Sequence, residues 1–211
     1  MPPVQHKATS LDGNTLTPAT VYNIAYQDGQ ITLSSEALKR VDRARQFLLQ
    51  EIGKKVVYGI TTGFGPMASH IIGKNQLVEL QYNLVRSHAV GAGDPIADEF
   101  VVAAMVDRIN TFLNGHSGVS VELVEQLALF VNKRIIPIIP RHGAVGTSGD
   151  LVQLAHIAQA LIGEGEVRYK GERLPTSELL NRLKIKPHVL LPKEGLALIN
   201  GTSVMTGIAS I

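Results

Sequence analysis

Gly146-Thr147-Ser148-Gly149-Asp150 is the stretch on which the reading of this chain turns. A serine followed directly by glycine between two sharp turns can become, through backbone chemistry alone, an electrophile that no single side chain provides. If the amide nitrogen of Gly149 bonds to the carbonyl carbon of Thr147, a five-membered ring closes and water leaves. Loss of the Ser148 hydroxyl as a second water then leaves an exocyclic methylidene carbon. Gly149 suits the closure because a residue without a Cβ enters tight backbone conformations at little steric cost. Such an electrophile points to carbon–nitrogen bond chemistry. Taken alone, Thr-Ser-Gly is also an ordinary turn, so the surroundings decide.

Outward from the tripeptide, Asp150 reads as the N-cap of a helix running through Ile162. Thr147 to Gly149 then lie just before a helix N-terminus, whose unpaired amides and partial positive charge favour developing negative charge. Asp150 would cap a helix with or without the ring chemistry. Upstream, Ile135-Ile136-Pro137-Ile138-Ile139-Pro140 must be extended because of its prolines. Asp98 to Asn114 and Ser120 to Arg134 read as helices. A strand-like opening leads to a further helix, capped by Ser34, carrying Leu38, Val41, Leu48 and Ile52, and closed by Gly53. Val56 to Ile60 reads as a short extended piece entering the Gly63-Phe64-Gly65-Pro66 loop. Asn75 opens a helix that places Leu77, Leu80, Gln81, Leu84 and His88 on one face. Glu166 to Leu174 forms a hairpin around Lys170-Gly171. The pattern is mainly α with short strands.

Composition sets limits. The 211 residues, 45% of them hydrophobic, are enough for one sizeable domain. With 20 basic and 18 acidic residues, charge gives no case for a nucleic-acid or anionic-membrane partner. Cysteine is absent, which removes disulfides, thiol nucleophiles and Cys-based zinc sites. Met1 to Lys7 contain no apolar signal region, and no later run is long and apolar enough to span a bilayer. The expectation is a soluble, cytoplasmic protein without a metal. Two other motifs fit poorly. A serine-hydrolase elbow wants glycine where Asp150 stands. The loose dinucleotide fingerprint at Gly63 to Ala68 lacks a following strand ending in an acid, and Pro66 is awkward in a phosphate turn.

Arg141 to His156, around the tripeptide, resembles the prosthetic-group segment of the histidine, phenylalanine and tyrosine ammonia-lyases and their related 2,3-aminomutases. Three further blocks match in family order: Val57 to Pro66, Leu80 to Ala89, and Leu196 to Ser203. The resemblance runs from about Leu11 to the last residue. It implies the N-terminal head domain of the ammonia-lyase (fumarase/aspartase-like) fold, residues 1–195. Residues 196–211 would begin the central bundle helix, with the bundle otherwise largely missing.

The resemblance also implies elimination of ammonia from an aromatic amino acid, using a methylidene imidazolone made from Thr147, Ser148 and Gly149. Tyr58, in Val-Tyr-Gly, matches the tyrosine that takes the β-proton; its ordinary pKa, near 10, must be lowered for that role. Asn200 matches the asparagine beside the prosthetic group, and Gly59 a backbone position close to it. Leu84, Ser87 and His88 correspond to the pocket for the substrate ring. Each has a plain structural alternative: a half-buried tyrosine, an Asn-Gly turn, a helix-end histidine. Ser87-His88 resembles histidine-type members and also some tyrosine-acting ones. Thr147 stands where the family usually has Ala, and Thr occurs in a minority that includes aminomutases. Gln153 replaces the usual Pro and reads as a neutral first-turn change.

Family members are roughly twice as long and form homotetramers through the bundle. Their second catalytic tyrosine, carboxylate-binding arginine and late Glu and Gln positions have no counterpart here. The chain is therefore expected to be the N-terminal part of an active lyase, or a truncated non-catalytic fragment. On this reading, Ile199, Val204, Met205, Ile208 and Ile211 would lack packing partners.

Overall fold

The computed structural model describes residues 8–52, 54–57, 59–63, 73 and 76–211. The fold is mainly helical, with short strands that pin its edges. At the start, β1 (Thr9–Leu11) pairs in parallel with β2 (Ile31–Leu33), and α1 (Pro18–Tyr26) makes the crossover. Thr17 caps α1 by accepting from the Thr20 amide, and Pro18 occupies its first turn, where a missing N–H costs nothing. The sequence reading recognised the strand-like opening but not this helix. Next, α2 (Ser35–Glu51) begins at Ser34, whose side chain accepts from the Ala37 amide.

The frame is α4 (Asp98–Leu113). Every residue from Val101 to Val106 is buried, as are Ile109, Phe112 and Leu113, and a helix apolar on all sides belongs at the centre of a domain. Around it pack α1, α2, α5 (Val121–Lys133) and α9 (Ser203–Ala209). The α4–α9 crossing is close because it is made of small residues. A Cβ at Gly207 would lie 2.7 Å from the Ala104 amide nitrogen and 2.8 Å from the Ala103 carbonyl carbon.

The second layer is formed by α3 (Leu77–His88), α6 (Leu151–Leu161) and α8 (Glu194–Ile199), which pack on one another. Gln81 on α3 is fully buried and accepts from the Leu196 amide of α8 at 3.3 Å. Beside this layer, β4 (Ile136–Pro137) pairs antiparallel with β6 (Glu166–Tyr169), which pairs with β7 (Glu172–Pro175). Lys170 and Gly171 form the hairpin turn with φ of 52° and 84°, the positive values that a two-residue connection needs. After it comes α7 (Thr176–Leu183). The extended segment at the prolines continues as β5 (Pro140–His142), which pairs antiparallel with β3 (Ala92–Pro95).

Two expectations need correction. Val56 to Ile60 is not an extended piece: the amides of Ile60 and Thr61 both donate to the Val57 carbonyl, closing a turn. Hydroxyls supply the remaining partners, Thr61 Oγ1 for the Val57 amide at 2.7 Å and Thr62 Oγ1 for the Gly59 amide at 3.2 Å. Further on, Ile199 and Val204 do not lack partners, since both are buried in the chain's own core. Met205 and Ile208 are exposed, at 58% and 38%.

The base of α8 is held by a buried carboxylate. Glu194 accepts from the Ser120 amide (2.9 Å), the Ser120 hydroxyl (2.6 Å) and the Leu191 amide (2.8 Å), and pairs with His188 Nε2 (2.9 Å). Burial alone would raise its pKa, but these bonds from His188, Ser120 and Leu191 outweigh it and hold the group below the ordinary carboxylate value. A depressed folded pKa gives stability that is present above the unfolded pKa and is lost as pH falls through the folded one. Glu194→Ala should therefore cost on the order of 3 kcal/mol by urea denaturation at neutral pH. Glu194→Gln should flatten the decline in stability that the wild type shows below about pH 4.5.

Candidate active site

Segments far apart in sequence meet at the tripeptide. The exit of α3 is stitched to the loop that carries it: Ala92 in β3 lies opposite His142 in β5, and the Gly91 amide donates to His156 Nε2 on α6 at 3.1 Å. A Cβ at Gly143 would lie 2.7 Å from the Val152 side chain and 3.4 Å from Gly91 Cα. The C-terminal end of α3, with Leu84, Ser87 and His88, therefore lies beside the N-terminal end of α6. His156 accepts that bond as a neutral imidazole, its pKa pushed down by burial.

Gly146 to Ser148 form a single 3-10 turn, in which the Ser148 amide donates to the Val145 carbonyl at 2.8 Å. Thr147 and Ser148 are exposed, and Asp150 is buried. Gly149 has φ +87°, and a Cβ there would lie 2.6 Å from the Gly201 carbonyl oxygen. Both the left-handed backbone and the contact exclude other residues. The Asp150 amide donates to that same Gly201 carbonyl at 2.8 Å. The tripeptide thus ends directly against the turn that carries Asn200, whose own side chain is exposed.

Asp150 does not cap α6 as the sequence suggested. Its side chain makes no capping bond to that helix; Oδ2 instead accepts from the Met205 amide, in the first turn of α9, at 2.8 Å. Thr202, which precedes α9, makes no side-chain cap of its own. The carboxylate sits where the positive end of α9 favours it, and the N-cap residue of α6 makes no side-chain capping bond.

Below the turn lies a charge that the sequence reading passed over. Arg108 is 4% exposed on α4 and donates through Nη1 to the carbonyls of Ala197 (3.4 Å) and Asn200 (3.3 Å). Its guanidinium stands over the Phe112 ring at 5.6 Å. Burial lowers its pKa to about 10, against the opposing pull of Asp107 and Asp150. Asp107 is raised by burial, with Ser203 and Arg108 pulling it down and Asp150 adding to the rise. The signal for this cluster was an Asp-Arg pair inside the otherwise uncharged run from Phe100 to Leu113.

On α3, Leu84 is buried, Ser87 exposed and His88 half-buried. His88 Nδ1 lies 2.9 Å from the Leu84 carbonyl and 3.1 Å from Ser87 Oγ, and the hydroxyl donates to the same carbonyl at 3.0 Å. A carbonyl only accepts, so Nδ1 carries the proton and Nε2 is left as the acceptor in the neutral ring. Gly59 is buried with φ +67°. Tyr58 lies outside the described residues, as do Phe64 to Pro66 and Asn75. Gln153, read from the sequence as a neutral first-turn change, stands in the first turn of α6 and is buried, with no partner for Oε1 among the described residues. Among the described residues, no group of three or more His, Cys, Asp or Glu side chains could hold a metal ion, and no helix is long and apolar enough to cross a membrane.

Comparison with known proteins agrees with this geometry. The model of the aromatic amino acid lyase family matches residues 16–211. The chain belongs to that family. The histidine ammonia-lyase of Macrococcus caseolyticus is 49% identical over 197 residues, covering 93% of this chain and 39% of the relative. Among solved structures, the tyrosine aminomutase of Streptomyces globisporus superposes with a TM-score of 0.92 at 40% identity, over 97% of this chain and 38% of that one. The histidine ammonia-lyase of Trypanosoma cruzi gives 0.88 at 35% identity, over 97% of this chain and 39% of that one. The chain thus spans about two fifths of the length of these relatives and has the corresponding part of their fold.

The bond between Asp150 and α9 can be tested directly. Asp150→Ala should destabilise the protein by about 1 kcal/mol, the usual cost of a lost helix cap. It should also speed hydrogen exchange at the Met205 amide relative to the amides of α4.

Proposed function

We propose that this chain carries the prosthetic-group-forming part of an ammonia-lyase that converts an aromatic L-amino acid, histidine or tyrosine, into the α,β-unsaturated acid. The observation that carries this reading is the fit between Gly149 and Gly201. The backbone is left-handed where the ring nitrogen would come from, and the neighbouring carbonyl leaves no room for a Cβ. The proposed ring is 4-methylidene-imidazol-5-one, formed from Thr147, Ser148 and Gly149. Its first water takes the Thr147 carbonyl oxygen with the amide protons of Gly149 and Ser148. Its second takes the Ser148 hydroxyl and the Ser148 α-proton. When formed, the group supplies an electrophilic carbon for the substrate amine. The exposure of Thr147 and Ser148 leaves that position open to a small molecule.

The chain's own residues do the rest. Tyr58 takes the β-proton, and Asn200 presents its amide beside the ring. Leu84 offers an apolar wall to the substrate ring. His88, oriented through Nδ1 by the Leu84 carbonyl, directs Nε2 to a polar ring substituent, with Ser87 beside it and Gly59 approaching through its backbone. The exposed Met205 and Ile208 belong to a face that packs in a homotetramer of the whole lyase. A 2,3-aminomutase is the second reading, favoured by Thr147 and by the similarity to a tyrosine aminomutase.

The folded protein should weigh two waters less than its encoded mass, and Ser148→Ala should abolish that deficit. An unmodified mass in well-folded protein would reject the reading. In the whole lyase, Tyr58→Phe should remove most turnover while leaving the deficit in place, because proton abstraction and ring formation are separate steps. His88→Leu should change the preference among histidine, tyrosine and phenylalanine. β-Amino acid appearing beside the unsaturated acid would identify an aminomutase.

A further inference from the structure

We infer that Arg108 is the positioning residue for the prosthetic group, holding the Asn200-Gly201 turn against Gly149 and Asp150 so that the tripeptide is pressed into a geometry that closes. The inference rests on the proposed ring chemistry and concerns how the fold brings it about.

The chain of contacts is short and continuous. Arg108 Nη1 donates to the Ala197 and Asn200 carbonyls at the C-terminal end of α8. These are groups that a helix cannot satisfy internally in its last turn. The turn they belong to has no room to settle lower, since a Cβ at Gly201 would run into Arg108 Nη2. From above, the Gly201 carbonyl receives the Asp150 amide at 2.8 Å and occupies the space where Gly149 would carry a side chain. Arg108 thus supports the turn from below, and the turn supports the tripeptide.

Ring closure places specific demands on this support. It requires the Gly149 nitrogen to approach the Thr147 carbonyl carbon more closely than an open chain allows, and a thermally mobile loop rarely visits that arrangement. Residues 146–148 are exposed and make few bonds of their own, so they cannot hold the compressed shape alone. The support therefore comes from the buried residues at the C-terminal end of the tripeptide. Arg108 is the buried charge among them that is anchored on a different element, the rigid α4. Asp107 and Asp150 keep that charge from standing uncompensated.

The test compares Arg108→Met, which keeps volume without donors, with Arg108→Lys, which keeps donors without the planar fork. The measurements are intact mass over time after synthesis, the near-ultraviolet absorbance of the ring, and far-ultraviolet circular dichroism for the folded fraction. At equal folded fraction, Arg108→Met should accumulate uncyclised protein, with ring formation slowed at least about tenfold, and Arg108→Lys should recover part of the rate. A folded Arg108→Met that cyclises at the wild-type rate would overturn the inference. So would a lysine variant no faster than the methionine one. Should Arg108→Met fail to fold, Gly201→Ala decides, because its Cβ would meet Arg108 Nη2 and force the guanidinium and the turn apart. Slow closure in folded Gly201→Ala supports the inference, and full-speed closure overturns it. A wild type without the two-water deficit would sink the proposed function and this inference together, whereas a cyclised wild type with unaffected variants would sink only this inference.

Discussion

A guanidinium buried in the middle of the central helix has to be met by oxygen atoms, and that requirement organises the ground under the tripeptide. Between Phe100 and Leu113 the charges on α4 are Asp107 and Arg108, and an unpaired charge there would cost far more than the packing around it returns. The end of α8 has the opposite need, since carbonyls in the last turn of a helix have no partners of their own. The two needs cancel where Arg108 reaches Ala197 and Asn200. From that contact the remaining geometry follows. Gly201 is confined by the arginine, Gly149 by Gly201, and Asp150 by the Gly201 carbonyl on one side and the Met205 amide on the other.

Three helix ends therefore share one small region: the C-terminus of α8 and the N-termini of α6 and α9. Their partial charges are not alike, and the fold uses the difference. The negative end of α8 receives the arginine. The positive end of α9 receives the Asp150 carboxylate. The positive end of α6, reached immediately after Gly149, has no side-chain cap of its own. The exposed 3-10 turn thus stands on a buried base, with Thr147 and Ser148 facing outward. In the same way, β3 and β5 bring the exit of α3 to the entrance of the tripeptide loop, so that the proposed pocket residues adjoin the tripeptide.

Much of this was legible from local rules. The Ser34 cap, the helices at Asp98 and Ser120, the proline-bound extended segment and the Lys170-Gly171 turn are each dictated by residues within a few positions of one another. So was the face that groups Gln81, Leu84 and His88. What local reading missed depends on contacts between distant segments. Asp150 looks like the cap of the helix it precedes, and only the approach of α9, fifty-five residues later, turns its carboxylate elsewhere. Val56 to Ile60 has the β-branched content of a strand, yet the Ile60 and Thr61 amides close a turn on the Val57 carbonyl and threonine hydroxyls take the neighbouring amides. Ile199 and Val204 read as lacking packing partners, yet Val204 is buried because Gly207 lets α9 lie against Ala103 and Ala104, and Ile199 because α8 packs on α3 and α6. Asp107-Arg108 was visible as charge in an apolar helix, but its partners were not.

On the proposed reading, the pocket would have a selectivity that its hydrogen bonds explain up to a definite point. With the Nδ1 proton of His88 committed to the Leu84 carbonyl, the nitrogen that remains for a ligand is Nε2, which accepts in the neutral ring. An acceptor in a half-buried pocket is well matched by an imidazole N–H or a phenol O–H. A bare phenyl ring would leave it unpaired, and sites built to bond a polar group reject the analogue lacking it far more strongly than they resolve size. The pocket side of α3 thus argues against phenylalanine on physical grounds. It does not separate histidine from tyrosine, because both present a donor at the far edge of the ring to the same nitrogen. That is consistent with similarity to a histidine ammonia-lyase and to a tyrosine aminomutase at once, and it moves the final choice of substrate to residues that contact the rest of the ring and the carboxylate.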